Sequence, residues 1–94
     1  MSINDFQNEC LTNWNGEAGT ERSFLGLADK AGEVCRVRQR YLEGEHFDDE
    51  EYLMDVQELL GDIMYYISVC AYEHEIKLSH ISGASILKQR GGSR

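Results

Sequence analysis

Two long segments repeat apolar residues at the spacing of an α-helix, and they constrain the fold more than any other feature. This three- and four-residue spacing runs through residues 23–42 and again through residues 49–72. Shorter segments at residues 3–14 and 79–90 follow the same pattern. The chain has no proline, and no segment alternates apolar and polar residues as a half-buried strand does. The sequence therefore predicts an all-α, four-helix bundle whose two long central helices are antiparallel, because a short connection joins them.

Several polar residues stand where helices are expected to begin. Ser2 or Asn4 is placed to cap the first helix, and Ser79 to cap the last. Asp48 precedes the third helix, with Glu51 three residues later in the arrangement of a capping box. The third helix is the most apolar of the four, so we expect it to be the most buried element.

The size of the chain and its charge limit the classes of partner. With 94 residues and 41% hydrophobic content, the sequence fits one domain at residues 1–90 followed by a flexible tail at residues 91–94. The net charge of −8 disfavours binding to a nucleic-acid polymer or to an anionic membrane. A small nucleotide complexed with a metal is not excluded by this argument, because a divalent cation neutralises both the phosphates and an acidic site.

The cysteines and the N-terminus indicate an intracellular location. Cys10, Cys35 and Cys70 are far apart and form no C-x-x-C motif, which favours neither a disulfide framework nor a zinc site. The first residues lack the order of a signal peptide, and no run approaches the ~18 apolar residues of a membrane span. We therefore expect a soluble, cytoplasmic protein.

Acidic residues recur in two related stretches, GLADKAGEVCRV at residues 26–37 and ELLGDIMYY at residues 58–66. Each stretch holds a helix-interior glycine, which costs roughly 1 kcal/mol relative to alanine and so suggests close helix packing or a site. Residues four apart share a helix face, which pairs Asp29 with Glu33 and Glu58 with Asp62. If the long helices pack antiparallel, the two pairs can converge on Mg²⁺ or Mn²⁺.

The spacing alone also allows these acids to be ordinary surface carboxylates and not metal ligands. Carboxylates on solvated helix faces are common, and Lys30 and Arg36 lie at ion-pairing distance along the same helix. The spacing therefore does not distinguish a metal site from surface ion pairs.

The order of the motifs resembles the MazG-like, all-α nucleotide pyrophosphohydrolases. The similarity lies in GL-x-x-x-AGEV, then an acidic loop at residues 43–51, then LGDI-x-YYI, with residues 4–7 and 78–90 similar to the first and last helices of that family. It covers nearly the whole chain. The resemblance implies a fold that oligomerises through its long helices, as a homodimer or homotetramer. It also implies paired carboxylates, E-x-x-E and E-x-x-D, that bind Mg²⁺ and split nucleoside triphosphates into monophosphate and pyrophosphate.

Transferred residue by residue, the family motif is incomplete. Glu33 and Asp62 match the second acid of each pair and are the expected metal ligands, but Lys30 and Leu59 occupy the positions of the first acids. Near the end of the chain, Ser85 replaces a common asparagine. The resemblance implies that Lys88 and Arg90 keep a phosphate-facing role.

Two hypotheses account for the altered metal motif. In the first, Asp29 and Glu58 replace the lost acids from one residue upstream, which rotates each donor by about 100° around its helix. In the second, which we prefer, Lys30 places its ammonium between Glu33 and Asp62 and takes the position of the cation. A fixed charge would then replace the metal, and Mg²⁺ would be absent.

Aromatic and basic residues suggest a nucleotide site. Trp14 and Phe6 can stack on a base, or form ordinary core, and Lys88, Arg90 and Arg36 can meet phosphates. The sequence thus predicts a nucleoside triphosphate pyrophosphohydrolase scaffold with an altered metal site. The alternative is a non-catalytic nucleotide-binding or protein-interaction module on the same fold. Because two tyrosines are adjacent at residues 65–66, we expect one to face the core and the other to face a second subunit.

Overall fold

The computed structural model of the protein describes residues 1–16, 21–45 and 48–91, and these residues form four α-helices and no strand. Helix α1 spans Ile3–Thr12, α2 spans Arg22–Leu42, α3 spans Asp49–Glu73 and α4 spans Leu78–Gly91. The predicted all-α class with four helices is confirmed. Helix α4 includes the first residue of the predicted tail, and residues 92–94 lie outside the described residues, as do residues 17–20 and 46–47.

Local capping explains where α1 and α3 begin. The Ser2 hydroxyl accepts a hydrogen bond from the Asp5 N–H at 3.0 Å, and the Asp5 carboxylate accepts from the Ser2 N–H at 3.1 Å. The Asp48 carboxylate accepts from the Glu51 N–H at 2.7 Å, so the predicted cap of α3 is confirmed.

Helix α4 begins differently from the prediction. Leu78 is already helical, so the prediction that Ser79 caps this helix is wrong. Instead, α1 supplies the acceptors: the Leu78 N–H donates to Gln7 Oε1 at 3.0 Å, and the Ser79 N–H donates to Asn4 Oδ1 at 3.1 Å. The first free amides of α4 are therefore satisfied by another helix.

Helices α2 and α3 form an antiparallel pair, as contacts near their two ends show. At the start of α2, the Ser23 hydroxyl donates to the Glu73 carboxylate at the end of α3. Near the end of α2, Arg38 Nη1 donates to the Tyr52 hydroxyl at 3.1 Å, close to the start of α3. The Tyr41 ring stacks on Tyr52 with 3.9 Å between centroids. The predicted antiparallel arrangement of the long helices is thus present.

The core follows α3, which contributes most of the buried residues, as predicted. The buried apolar residues are Cys10, Val37, Leu59, Val69, Cys70, Ala71 and Leu78. A Cβ at Gly26 would overlap the Tyr66 ring, so a glycine is required where α2 approaches α3. At Gly61 a Cβ would meet no described atom within 4 Å.

The packing leaves an extended molecule. Helices α1 and α2 both pack on α3, while α4 packs on α1. The radius of gyration is 15.6 Å, whereas a compact chain of this length is expected near about 12 Å. The MazG-like form of the bundle stays a prediction. In the described part of the chain, no helix combines the length and apolar character that crossing a membrane requires.

Candidate functional site

A cluster of three charged side chains, here called the Lys30 cluster, joins the two long helices. Lys30 Nζ lies 3.4 Å from Glu33 Oε1, one turn further along α2, and 3.7 Å from Asp62 Oδ2 on α3. The Lys30 side chain is 28% exposed and the two acidic side chains are each 42% exposed. The cluster therefore lies in a surface groove that water reaches, and the lysine side chain is the least exposed of the three.

The electrostatic environment keeps Lys30 charged. The Glu33 carboxylate raises the pKa of Lys30 above its ordinary value of 10.5, by its charge first and also by accepting a hydrogen bond. Asp62 and Asp29 add to the rise, while partial loss of hydration opposes it. At neutral pH the cluster holds a permanent cation between two acids.

The Lys30 cluster opens into a cavity of about 220 Å³ between α2 and α3. Its walls are formed by Lys30, Glu33, Val37, Arg40, Asp55, Glu58, Leu59 and Asp62. Four of these residues are carboxylates and two are cations, so the formal charge of the walls is −2. Leu59 and Val37 are buried and form an apolar floor.

Sequence reasoning missed two of these residues, Asp55 and Arg40. The sequence spacing could have identified both. Asp55 lies seven residues before Asp62, and Arg40 lies seven residues after Glu33, so each shares a helix face with an acid of the cluster. Glu58 lines the cavity as the first hypothesis requires, whereas Asp29 lies on the exposed surface of α2 and not in the wall.

The donor set does not fit Mg²⁺ as the side chains are arranged. A divalent cation binds six or more oxygens at short distances, but the space between Glu33 and Asp62 is taken by an ammonium. Leu59 offers no donor where the family motif places an acid. Within residues 1–16, 21–45 and 48–91, no group of three or more His, Cys, Asp or Glu side chains is placed to hold a metal.

The predicted phosphate-binding residues lie away from the cavity walls. Lys88 and Arg90 are exposed in the last turn of α4, the helix that packs on α1. Arg36 lies over Gly32, where its Nη1 would be 3.2 Å from an added Cβ. The structure thus brings Glu33, Asp62 and Glu58 to the cavity but does not add these basic residues to its lining.

Trp14 belongs to an aromatic cluster rather than to an isolated stacking face. Its ring centroid lies 6.1 Å from Tyr65 and 6.3 Å from Tyr66, and the Arg22 guanidinium lies 5.8 Å from its centre. Both tyrosines are partly buried and contact Trp14, and the placement of one of them against a second subunit stays a prediction. Phe6 lines a different surface groove, between α1, α3 and α4.

A second cavity, of about 270 Å³, lies beside Trp14. Among the described residues, its lining also includes Leu11, Gly16, Tyr72 and Glu73. One carboxylate oxygen of Glu73 accepts the hydrogen bond from the Ser23 hydroxyl, while the other, Oε2, is buried and has no hydrogen-bond partner among the residues that the structure describes. The sequence does not reveal this pair, because its members are fifty residues apart and neither is part of a motif.

Comparison of the chain with protein-family models, with curated proteins and with solved structures gave no match. The similarity to the MazG-like family therefore rests on the order of the motifs in the sequence. Family membership stays a prediction.

Proposed function

We propose that this protein is a MazG-like helical scaffold that works as a binding module and does not hydrolyse nucleotides, with the ammonium of Lys30 in the position of the divalent cation. One observation carries the proposal: Lys30 Nζ lies 3.4 Å from Glu33 and 3.7 Å from Asp62, the two acids that match the family motif. The proposal adopts the second of the two hypotheses for the altered metal motif, in which the fixed charge of Lys30 replaces the metal.

An ammonium satisfies the acids but does not replace the chemistry of a metal. It supplies one positive charge and hydrogen-bond donors, whereas Mg²⁺, when bound, bridges phosphate oxygens and activates a water. With a formal charge of −2, the cavity walls repel the phosphates of a nucleoside triphosphate. The Lys30 cluster therefore joins α2 to α3, and binding takes place elsewhere on the scaffold.

The cavity beside Trp14 supports a second candidate, a site for a nucleobase or a similar flat ring. Trp14 and Tyr72 provide aromatic walls, and the unpartnered Oε2 of Glu73 is an acceptor for an N–H group once a small movement exposes it. Ser23 lies seven residues before Lys30 on α2, which is about 10 Å along the helix axis. The acidic walls of the Lys30 cavity disfavour phosphates in this region, so the candidate ligand is the uncharged nucleoside.

The release of pyrophosphate from a panel of nucleoside triphosphates tests the main proposal. We expect the native chain, with Mg²⁺ or Mn²⁺, to release no more than a Glu33→Ala control. The Lys30→Glu/Leu59→Glu double variant restores both missing acids of the motif, and we expect it to gain activity. Release by the native chain above the Glu33→Ala level would show that the protein is an enzyme and would overturn the proposal.

The second candidate has its own assay, because Trp14 is the only tryptophan in the chain. Nucleosides are titrated against the intrinsic fluorescence, and we expect saturable quenching if the cavity binds a base. A Glu73→Gln variant keeps the size of the side chain and changes the acceptor, so it should weaken binding. Fluorescence that does not saturate with any nucleoside would refute the candidate.

A further inference from the structure

The cavity beside Trp14 contains a carboxylate oxygen whose hydrogen-bonding capacity is unused. Glu73 Oε1 accepts from the Ser23 hydroxyl, whereas Oε2 is buried and has no hydrogen-bond partner among the described residues. A buried polar or charged group without a partner costs free energy, so such a group in a folded protein needs an explanation. A ligand that donates a hydrogen bond to Oε2 would remove this cost.

The walls of the cavity favour a positively charged ligand. Among the described lining residues Glu73 alone is charged, so this lining carries a formal charge of −1. The net charge of −8 attracts cations over longer distances as well. Trp14 already has one cation as a neighbour, because the Arg22 guanidinium lies 5.8 Å from the centre of its ring. The carboxylate and the indole thus both attract positive charge.

The hydrogen bond from Ser23 determines which kind of cation fits. A guanidinium binds a carboxylate best through two parallel hydrogen bonds, one to each oxygen, but Glu73 Oε1 is already bonded to the Ser23 hydroxyl. A primary ammonium is a compact charge that can donate to one oxygen. A quaternary ammonium has no N–H group to donate. The single unpaired oxygen therefore fits a primary ammonium best.

The size and the lining of the cavity limit the rest of the ligand. The volume of about 270 Å³ is close to the roughly 300 Å³ at which small-molecule sites begin, so the ligand must be short. Leu11 and Trp14 are half-buried and form apolar walls. Tyr72 is 54% exposed, so its side of the cavity is open to solvent. A short apolar stem can therefore enter from solvent and pack against these three side chains.

We propose that the cavity beside Trp14 binds a primary ammonium group on a short apolar stem, as in an aliphatic amine or a lysine side chain. The ammonium donates to Glu73 Oε2 once a small side-chain movement exposes that oxygen, and the stem packs against the apolar walls. This inference is independent of the Lys30 cluster. It is also independent of the nucleoside candidate, because an amine needs the negative charge of Glu73, whereas a nucleoside N–H group needs only an acceptor.

Titration of the full chain with n-butylammonium at neutral pH tests the site, followed by the fluorescence of Trp14 and by isothermal titration calorimetry. We expect saturable binding. Two analogues should each bind at least about tenfold more weakly: 1-butanol, which has the stem without the charge, and butyltrimethylammonium, which has the charge without an N–H donor. Nα-acetyl-lysine methylamide presents the same ammonium on a lysine stem. Tighter binding of this compound than of n-butylammonium would indicate a lysine side chain as the ligand, and the reverse would indicate a free amine.

Two matched variants assign the binding to Glu73. Glu73→Gln keeps the size of the side chain and removes its charge, so it should weaken amine binding by about 10–100-fold. Glu75→Gln removes an equal charge two residues away, outside the described lining of the cavity, and should keep the native affinity. Far-UV circular dichroism checks that both variants stay helical.

The titrations contain no nucleotide and no metal, so their failure is distinguishable from failure of the hydrolysis proposal. Three results would overturn the assignment of the ammonium to Glu73: no saturable binding of either amine, an analogue without charge or without N–H donors that binds as tightly as n-butylammonium, or an equal loss of affinity in the Glu73→Gln and Glu75→Gln variants.

Discussion

Replacing Gln7 by alanine should destabilise the protein strongly, because this one side chain joins three parts of the chain. Gln7 is 5% exposed. Its Nε2 donates to the Ser68 carbonyl at 3.2 Å and to the Ile76 carbonyl at 3.0 Å. Its Oε1 accepts from the Leu78 N–H at 3.0 Å. The amide thus connects α1 to the end of α3, to the following turn and to the start of α4.

The magnitude follows from these contacts. Three hydrogen bonds at about 1 kcal/mol each give a net loss of about 3 kcal/mol, and a buried Leu78 N–H left unpaired adds about 1–3 kcal/mol. Releasing the glutamine side chain from one rotamer returns about 1.5–2 kcal/mol. We therefore expect Gln7→Ala to lower the free energy of unfolding by about 2–4.5 kcal/mol, a large part of the stability of a small domain.

Urea denaturation followed by circular dichroism measures this loss, at one protein concentration for all variants because dimerisation would couple to folding. The control is Asn8→Ala at the neighbouring exposed position, which should change stability by less than about 0.5 kcal/mol. Gln7→Glu keeps an acceptor for Leu78 but loses the donor, so its effect should be distinct from that of the alanine variant. If Gln7→Ala and Asn8→Ala unfold at the same urea concentration, the reasoning about α4 capping is wrong.

Two further predictions concern α2. The pKa of Lys30 is raised in the folded state, so its stabilising contribution is complete below the ordinary pKa of 10.5 and is lost as the pH rises through the higher folded value. The stability difference between the native chain and Lys30→Met should therefore be constant near neutral pH and disappear in strong alkali; a difference that persists there would contradict the ion pairing. Gly26→Ala should cost about 1–3 kcal/mol, because the added Cβ overlaps the Tyr66 ring. Gly83→Ala, where a Cβ meets open space, should gain up to about 1 kcal/mol from helix propensity, and equal thermal shifts for the two glycine variants would refute the close approach.

The helices were predictable because their signals are local. Apolar spacing identified all four, and the Asp48 cap depends on a residue three positions away. The start of α4 was not predictable in the same way. The Ser79 N–H of α4 donates to Asn4, which is 75 residues away in the sequence, and no local pattern predicts that contact. A serine near a helix start predicts a cap, but in this protein side chains of α1 fill that role.

The candidate site was predictable in part. Placing Lys30 beside Glu33 needs only the geometry of one helix, and adding Asp62 needs the antiparallel register that the motif order indicates. The predicted contacts of the ammonium with both acids are present, while their function stays a proposal. The Ser23–Glu73 pair was not predictable, because it forms only when α2 packs on α3. No sequence pattern indicates a buried serine next to a carboxylate with an unpartnered oxygen.

The positions of the aromatic residues also depend on tertiary packing that the sequence pattern does not predict. Adjacent positions on a helix point about 100° apart, which suggested that only one of Tyr65 and Tyr66 faces inward. Trp14 contacts both rings, with its centroid 6.1 Å from that of Tyr65 and 6.3 Å from that of Tyr66. A single large side chain from the segment after α1 thus covers a wider arc of α3 than the helix pattern implies.

Titration with Mn²⁺, followed by electron paramagnetic resonance, tests the central claim most directly, because the signal separates free from bound ion without requiring activity. We predict that the native chain leaves Mn²⁺ free, since Lys30 occupies the space between Glu33 and Asp62. The Lys30→Glu/Leu59→Glu variant should bind the ion. Binding of Mn²⁺ by the native chain that is lost in Glu33→Gln would show that these acids hold a metal despite the ammonium, and would contradict the account.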